Sequence, residues 1–374
     1  MRDRRAFLLG GAAAALAAAI APARAQPGPR GPFGGPSPGG PGAPPIPPDA
    51  NQGERILDAH AHLIGRSPGD FASGAKNAVE TMDQLGIART IILPPPQPPD
   101  SRNLYDYDRF APALSDYPGR FAFLGGGGTL NPPIQQFAAR PAAPEAIRRD
   151  FTAAANRILA AGAVGFGEIT AEHLSYEPGH PYESAAPDSP LLLLLADIAA
   201  ERGVPIDFHM DAAREDRPSP PVLADRTPNN PKTIPANIAR FERLLAHNRG
   251  ARFVWAHAGR DQIGDWTTAL SRELLGRHPN LYMSVTLRPQ QFAVMANFPF
   301  GPGMTLKPDW IALLTEFPDR FVIGSDHFYA APQLAGRRPG PTPAVRRFVN
   351  MLPAALAAGI ARENAERLYK IKLA

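Results

Sequence analysis

Residues 55–62 read RILDAHAH, an apolar run that closes on two histidines spaced two apart. Residues two apart on a β-strand share a face, so both imidazoles point the same way. Similar runs recur at 87–93 (IARTIIL), 120–127 (RFAFLGGG), 163–169 (AVGFGEI) and 204–211 (VPIDFHMD). Three more follow at 251–258 (ARFVWAHA), 281–287 (LYMSVTL) and 320–326 (RFVIGSD). Helical patterns lie between them at 75–85, 144–161, 189–202, 234–248, 266–277 and 307–317, and after the last run at 342–358 and 361–370. The pairs Leu85-Gly86, Ala161-Gly162, Arg202-Gly203 and Arg249-Gly250 place a glycine between a helix and the next strand, where a left-handed cap is expected. Eight strand–helix units over about 320 residues predict an α/β fold, a (β/α)8 TIM barrel, for residues 54–374. The alternative is an open doubly wound sheet. No G-x-G-x-x-G follows the first strand, so dinucleotide binding has no support.

The segments before residue 54 read differently. Residues 1–25, MRDRRAFLLGGAAAALAAAIAPARA, have a charged start, an apolar run and an A-x-A site at Ala23-Arg24-Ala25, the pattern of a signal peptide. The Arg4-Arg5 pair before Ala6-Phe7-Leu8 resembles the twin-arginine export motif of bacteria, which implies a periplasmic or secreted product. The run from Ala6 to Ala23 is short for a span and is broken by Gly10, Gly11 and Pro22, so no stable membrane insertion is expected after processing. Residues 26–53 hold 10 Pro and 8 Gly and read as a disordered linker. The chain carries +4 overall, but +3 of that lies in residues 1–25, which leaves the rest near neutral with no basic stripe. Nucleic acid is therefore not an expected partner, and a small-molecule substrate is. With no cysteine, disulfides, thiolate metal sites and cysteine nucleophiles are excluded, and a metal would bind through His, Asp and Glu.

In a barrel of this kind the active site lies at the C-terminal mouth of the strands. The first strand ends in His60 and His62, the fourth in Gly167-Glu168, the fifth in His209, the sixth in His257 and the eighth in Asp326. Six side chains able to bind a metal thus share one end of five strands. Imidazoles and carboxylates suit Zn2+ first, with Mn2+, Fe2+ and Ni2+ as alternatives, and one or two ions. Such an ion lowers the pKa of a bound water to about 7. Asp326 is placed to accept that water's proton and return it to the leaving group. His257 is placed to steady a developing oxyanion or to join a second metal.

The ordered set His60-x-His62, Glu168, His209, His257 and Asp326 resembles the amidohydrolase superfamily of metal-dependent hydrolases. Gly324-Ser325-Asp326 and the helical Glu363-Asn364-Ala365-Glu366-Arg367-Leu368 resemble its amidohydrolase-related ("amidohydrolase 2") subgroup, and Gly167-Glu168-Ile169 is similar to TatD-like deoxyribonucleases. The resemblance implies that His60, His62, His209 and Asp326 bind metal. Many relatives bridge two metals with a carboxylated lysine on the fourth strand. Lys76, Lys232, Lys307, Lys370 and Lys372 are the only lysines here and none ends a strand, so that bridge is absent. Glu168 takes its place or holds a single metal's water.

Arg260, three residues past His257, and Arg288, after the seventh strand, are candidate clamps for an anionic substrate group. His327 is a candidate substrate contact, although strand alternation turns it away from the ion. His173 and His180 belong to a loop that forms a candidate lid. The leading expectation is hydrolysis of an ester, lactone or amide. Decarboxylation of an aromatic or dienoic acid at the same site is the alternative. Phosphodiester chemistry is a third reading, disfavoured by the charge and the signal peptide, and a non-catalytic binding barrel a fourth.

Overall fold

The computed structural model describes residues 51–101, 104–287, 297–334 and 343–373. The expected signal peptide, most of the expected linker and Arg288 lie outside them. Asn51, which composition assigns to the linker, is buried, and its amide donates to Val349 O at 3.1 Å and to Leu352 O at 2.6 Å.

Eight parallel strands surround one axis in chain order. The first is Ile56–Ile64 and the second Ile87–Ile92. The third comes in two pieces: Phe121–Phe123 pairs with the second strand, and Gly125–Gly126 pairs with the fourth, Phe166–Thr170. Because one strand bonds both neighbours, the sheet closes there. Pro205–His209, Arg252–Ala258, Leu281–Val285 and Phe321–Ile323 follow as the fifth to eighth strands. Ile323 then pairs with Asp58, which completes the ring. The eighth strand resumes as His327–Ala330, again beside the first. The barrel expected from the sequence is present.

Helices cover the outside, and the first shows the local logic. Pro68–Leu85 begins at Ser67, whose side chain accepts the Asp70 N–H, has proline in its first turn and ends at Gly86 with φ 67°. It starts seven residues before the expected 75. Gly162 and Gly203 are also left-handed. Gly250 is not. The helix before it, Ile238–His247, ends at Asn248 in extended backbone, and Asn248 Oδ1 accepts the Gly250 N–H at 3.0 Å.

Leu57, Ala59, Ile91, Leu93, Ala122, Leu124, Val254 and Val322 form one apolar cluster. Side chains from strands so far apart around the ring meet only inside it. Leu368 and Tyr369 of the closing helix Asn364–Tyr369 join this cluster. The loops after the fourth and fifth strands form a cap, with a small core of Leu174, Ala213, Leu223 and Ile234 that Ile263 joins from the loop after the sixth strand. Ser175 and Asn230 tie its two loops reciprocally: Asn230 Oδ1 accepts from Ser175 N at 2.7 Å and Asn230 Nδ2 donates to Ser175 O at 2.9 Å. Among the described residues no helix is long and apolar enough to cross a membrane.

Candidate metal centre

His60 and His62 are both buried. His62 Nδ1 lies 2.9 Å from the Leu93 carbonyl oxygen, which can only accept, so this nitrogen carries the proton. His60 Nδ1 lies 3.1 Å from both oxygens of the Asp207 carboxylate and donates there. In the neutral rings each Nε2 is then a bare lone pair, yet the two Nε2 atoms face each other at 3.3 Å.

The groups around them are acceptors too. Glu168 Oε2 lies 3.8 Å from His60 Nε2 and 3.5 Å from His62 Nε2, and Asp326 Oδ1 lies 3.4 Å from His62 Nε2. Four lone pairs at these spacings repel one another unless a cation or protons sit between them. Ligands about 2.1 Å from a tetrahedral ion lie about 3.4 Å apart, so these spacings suit a divalent cation, for which His60, His62 and Asp326 form one ligand group and His60, Glu168 and His257 another.

Glu168 extends the site through its other oxygen. Oε1 is 2.7 Å from His209 Nδ1 and 3.2 Å from His257 Nε2, and those two nitrogens are 3.0 Å apart. Glu168 thus stands between two donor sets, the position left without a lysine. His257 Nδ1 lies 3.2 Å from Thr286 Oγ1, whose own proton goes to Gly324 O at 2.9 Å. Thr286 therefore accepts from Nδ1–H, and His257 Nε2 is left without a hydrogen. The expected role of His257 as donor to an oxyanion does not fit this tautomer. The other expected role, beside a second ion, does.

The electrostatics point the same way. Glu168, Asp207, Asp211 and Asp326 are all buried, and Arg260 is the permanent cation among them. With neutral imidazoles the cluster has an excess of negative charge. Burial by itself lowers His60, but Asp207, Glu168 and Asp326 outweigh it and raise it to about 10. Burial likewise opposes the charging of His209, which Asp211 and Glu168 raise to about 9. Burial, with His209 and His60 nearby, lowers His257 to about 3 and keeps it neutral. Without a metal the site takes up protons in its place.

Backbone geometry serves this arrangement. His257 and Asp326 have φ of 72° and 55°. Such left-handed conformations cost on the order of 1–3 kcal/mol in a non-glycine residue and persist where neighbours hold them. Asp326 N donates to His60 O at 2.9 Å, and the preceding Ser325 N donates to Asp58 Oδ1 at 2.9 Å. Asp58 is the clamp for that turn. A Cβ at Gly324 would lie 2.6 Å from Ser284 Cβ and 3.1 Å from His60 Cβ, so glycine lets the eighth strand bring Asp326 beside His62.

Arg260 is buried at the mouth, with Nη1 3.4 Å from Asp326 Oδ2 and its guanidinium carbon 4.8 Å from the Tyr176 ring centre. His327 is fully buried. Its Nδ1 lies 3.3 Å from the Tyr329 hydroxyl and its N–H donates to Ser325 Oγ at 3.1 Å, so its surroundings do not support a substrate contact. Arg288 lies outside the described residues. The ring centre of His173 in the cap lies 4.1 Å from that of His209, with the planes tilted by 53°, and 4.7 Å from that of His180, edge-on. Asp207, Asp211, Asp58 and Thr286 were not singled out from sequence. Asp207 and Asp58 each stand two residues before a named histidine, and that spacing was the available signal.

The family model described as "Amidohydrolase" matches residues 58–371. No curated protein matches the chain. Among solved structures, a probable 2-pyrone-4,6-dicarboxylic acid hydrolase from Acinetobacter baumannii is 12% identical, with 85% of this chain and 100% of that chain covered and a TM-score of 0.45. A 5-carboxyvanillate decarboxylase from Sphingomonas paucimobilis is 12% identical over 85% and 99% of the two chains, with a TM-score of 0.46. A dihydroorotase from Campylobacter jejuni is 16% identical over 85% and 84%, with a TM-score of 0.44.

Proposed function

The chain belongs to the amidohydrolase family, and from that premise we propose that it is an exported metal-dependent hydrolase that cleaves an ester, lactone or amide bond of a small molecule. The observation that carries this reading is the convergence of His60, His62, Glu168 and Asp326, whose ligand atoms face one another at 3.3–3.8 Å. A divalent cation bound there, zinc first, supplies Lewis acidity that polarises a carbonyl and acidifies water. Asp326 takes the proton of the attacking water at a carboxylate oxygen. As the water oxygen bonds to the carbonyl carbon and the C–O or C–N bond breaks, Asp326 passes that proton to the departing atom. Arg260 holds the far side of Asp326 and offers its remaining N–H groups to an anionic part of the substrate.

The test is turnover on a panel of small esters, lactones and amides before and after chelation. Activity lost on stripping and restored by Zn2+ or Mn2+ is the expected result. Undiminished turnover by the stripped protein would remove the reading. Arg260 specifically favours a second reaction at the same site, decarboxylation of an aromatic or dienoic acid, because a buried guanidinium beside the quartet suits a substrate carboxylate. Release of CO2 from such acids, with no turnover of the ester panel, would replace hydrolysis by that reaction.

Export rests on Arg4-Arg5 and the apolar run after them. Changing both arginines to lysine is expected to trap the precursor in the cytoplasm. Normal processing of that variant would point to the general secretory route instead.

A further inference from the structure

Asp207 lies one layer below the mouth, two residues before His209 on the fifth strand, and is fully exclude from solvent at 0% exposure. Its carboxylate has one hydrogen-bond partner among the described residues, His60 Nδ1, at 3.1 Å from each oxygen. Burying a carboxylate costs several kcal/mol, which one imidazole partner, neutral or charged, need not repay in stability alone. The strand gains nothing else from this side chain: the fifth strand is already paired through its backbone to the fourth and sixth on both sides.

What the contact does accomplish is orientation. An imidazole can carry its one proton on either nitrogen, and only the Nδ1–H form presents a lone pair at Nε2. His62 has its form set by the Leu93 carbonyl, and His257 by Thr286. Asp207 does the same for His60, and as an anion it also makes the ring a stronger donor to a cation. We propose that Asp207 is a positioning residue of the metal centre, a cross-barrel support that holds the His60 ring and tautomer and thereby sets the affinity for the cation. The inference rests on the reading of His60 as a metal ligand, and it assigns to the fifth strand a second task beside supplying His209.

The test uses Zn2+ alone as probe, added to chelator-stripped full-length protein in competition with a dye of known affinity. Wild type that binds no Zn2+ would overturn the metal reading itself, and the inference with it. If wild type binds, Asp207→Leu, similar in size but with no acceptor, is expected to weaken binding about 10–100-fold, the usual effect of losing an outer partner. Asp207→Asn keeps an acceptor oxygen and is expected to lose less. Because a Leu variant can fail to fold, Asp207→Asn is also made in a His60→Ala background. A positioning role through His60 predicts that the Asn change then has little further effect. An equal loss in both backgrounds would show that Asp207 acts as a distant charge or a structural group and would overturn the proposal, as would wild-type affinity in a folded Asp207→Leu protein.

Discussion

Asp326→Asn is expected to keep the fold and part of the metal, and to lose about 10²–10⁴-fold in turnover, the range associated with a positioned proton acceptor. The amide is nearly isosteric, and its oxygen can still occupy the place of Oδ1, 3.4 Å from His62 Nε2. The turn that carries it is held independently, by Asp326 N to His60 O and by Ser325 to Asp58. What the amide lacks is basicity, since it cannot take the proton of the attacking water near neutral pH. Its NH2 group also faces the wrong way if it turns toward Arg260, because two donors then meet where Asp326 Oδ2 now lies 3.4 Å from Arg260 Nη1. The amide oxygen is therefore driven either to Arg260 or to the quartet, and it cannot serve both. Kinetics must be read beside metal content. A fully loaded variant that turns over at the wild-type rate would show that Asp326 is not the proton acceptor.

The second large effect concerns binding. His60→Ala is expected to lose most of the bound metal, by more than the ~10–100-fold that follows loss of an outer partner. Removal of the ring deletes one of four converging acceptors. It also leaves the buried Asp207 carboxylate without its hydrogen-bond partner, a charge that then favours protonation. The fold itself should survive, since the barrel closes through backbone pairs that His60 does not supply. Far-ultraviolet circular dichroism on the same sample separates loss of metal from loss of structure.

The parts of this site that were legible in the sequence share one property: each lies between the middle of a strand and the residues just past its end. His60 and His62 are two apart on one strand, and the barrel rule places Glu168, His209, His257 and Asp326 at the same height. Tautomers were not legible, because each depends on a residue distant in sequence. His257 is set by Thr286, 29 positions away, and His60 by Asp207, 147 away. Asp207 was hidden by its setting, as a carboxylate inside the run VPIDFHMD reads first as part of an apolar strand. Strand alternation turned His327 away from the ion, and the structure buries it beside Tyr329, where the strand resumes at His327–Ala330 next to the first strand. Helix starts were read late where the signal was a cap rather than an apolar stripe, as at Ser67-Pro68.

Titration of the stripped protein with Zn2+ decides whether a divalent cation belongs among these acceptors. In the metal-free protein, burial opposes but neighbouring carboxylates enforce protonation of His60 and His209, up to about 10 and about 9. Below those values protons occupy the site and compete with the ion, so binding should release protons and should tighten as pH rises toward 9. Calorimetry in two buffers of different ionisation enthalpy counts the protons. Tight Zn2+ binding by wild type with net proton release, and greatly weakened binding by His60→Ala, are the expected results. Wild type that binds no Zn2+, or a His60→Ala protein that binds it as tightly as wild type, would contradict the metal assignment.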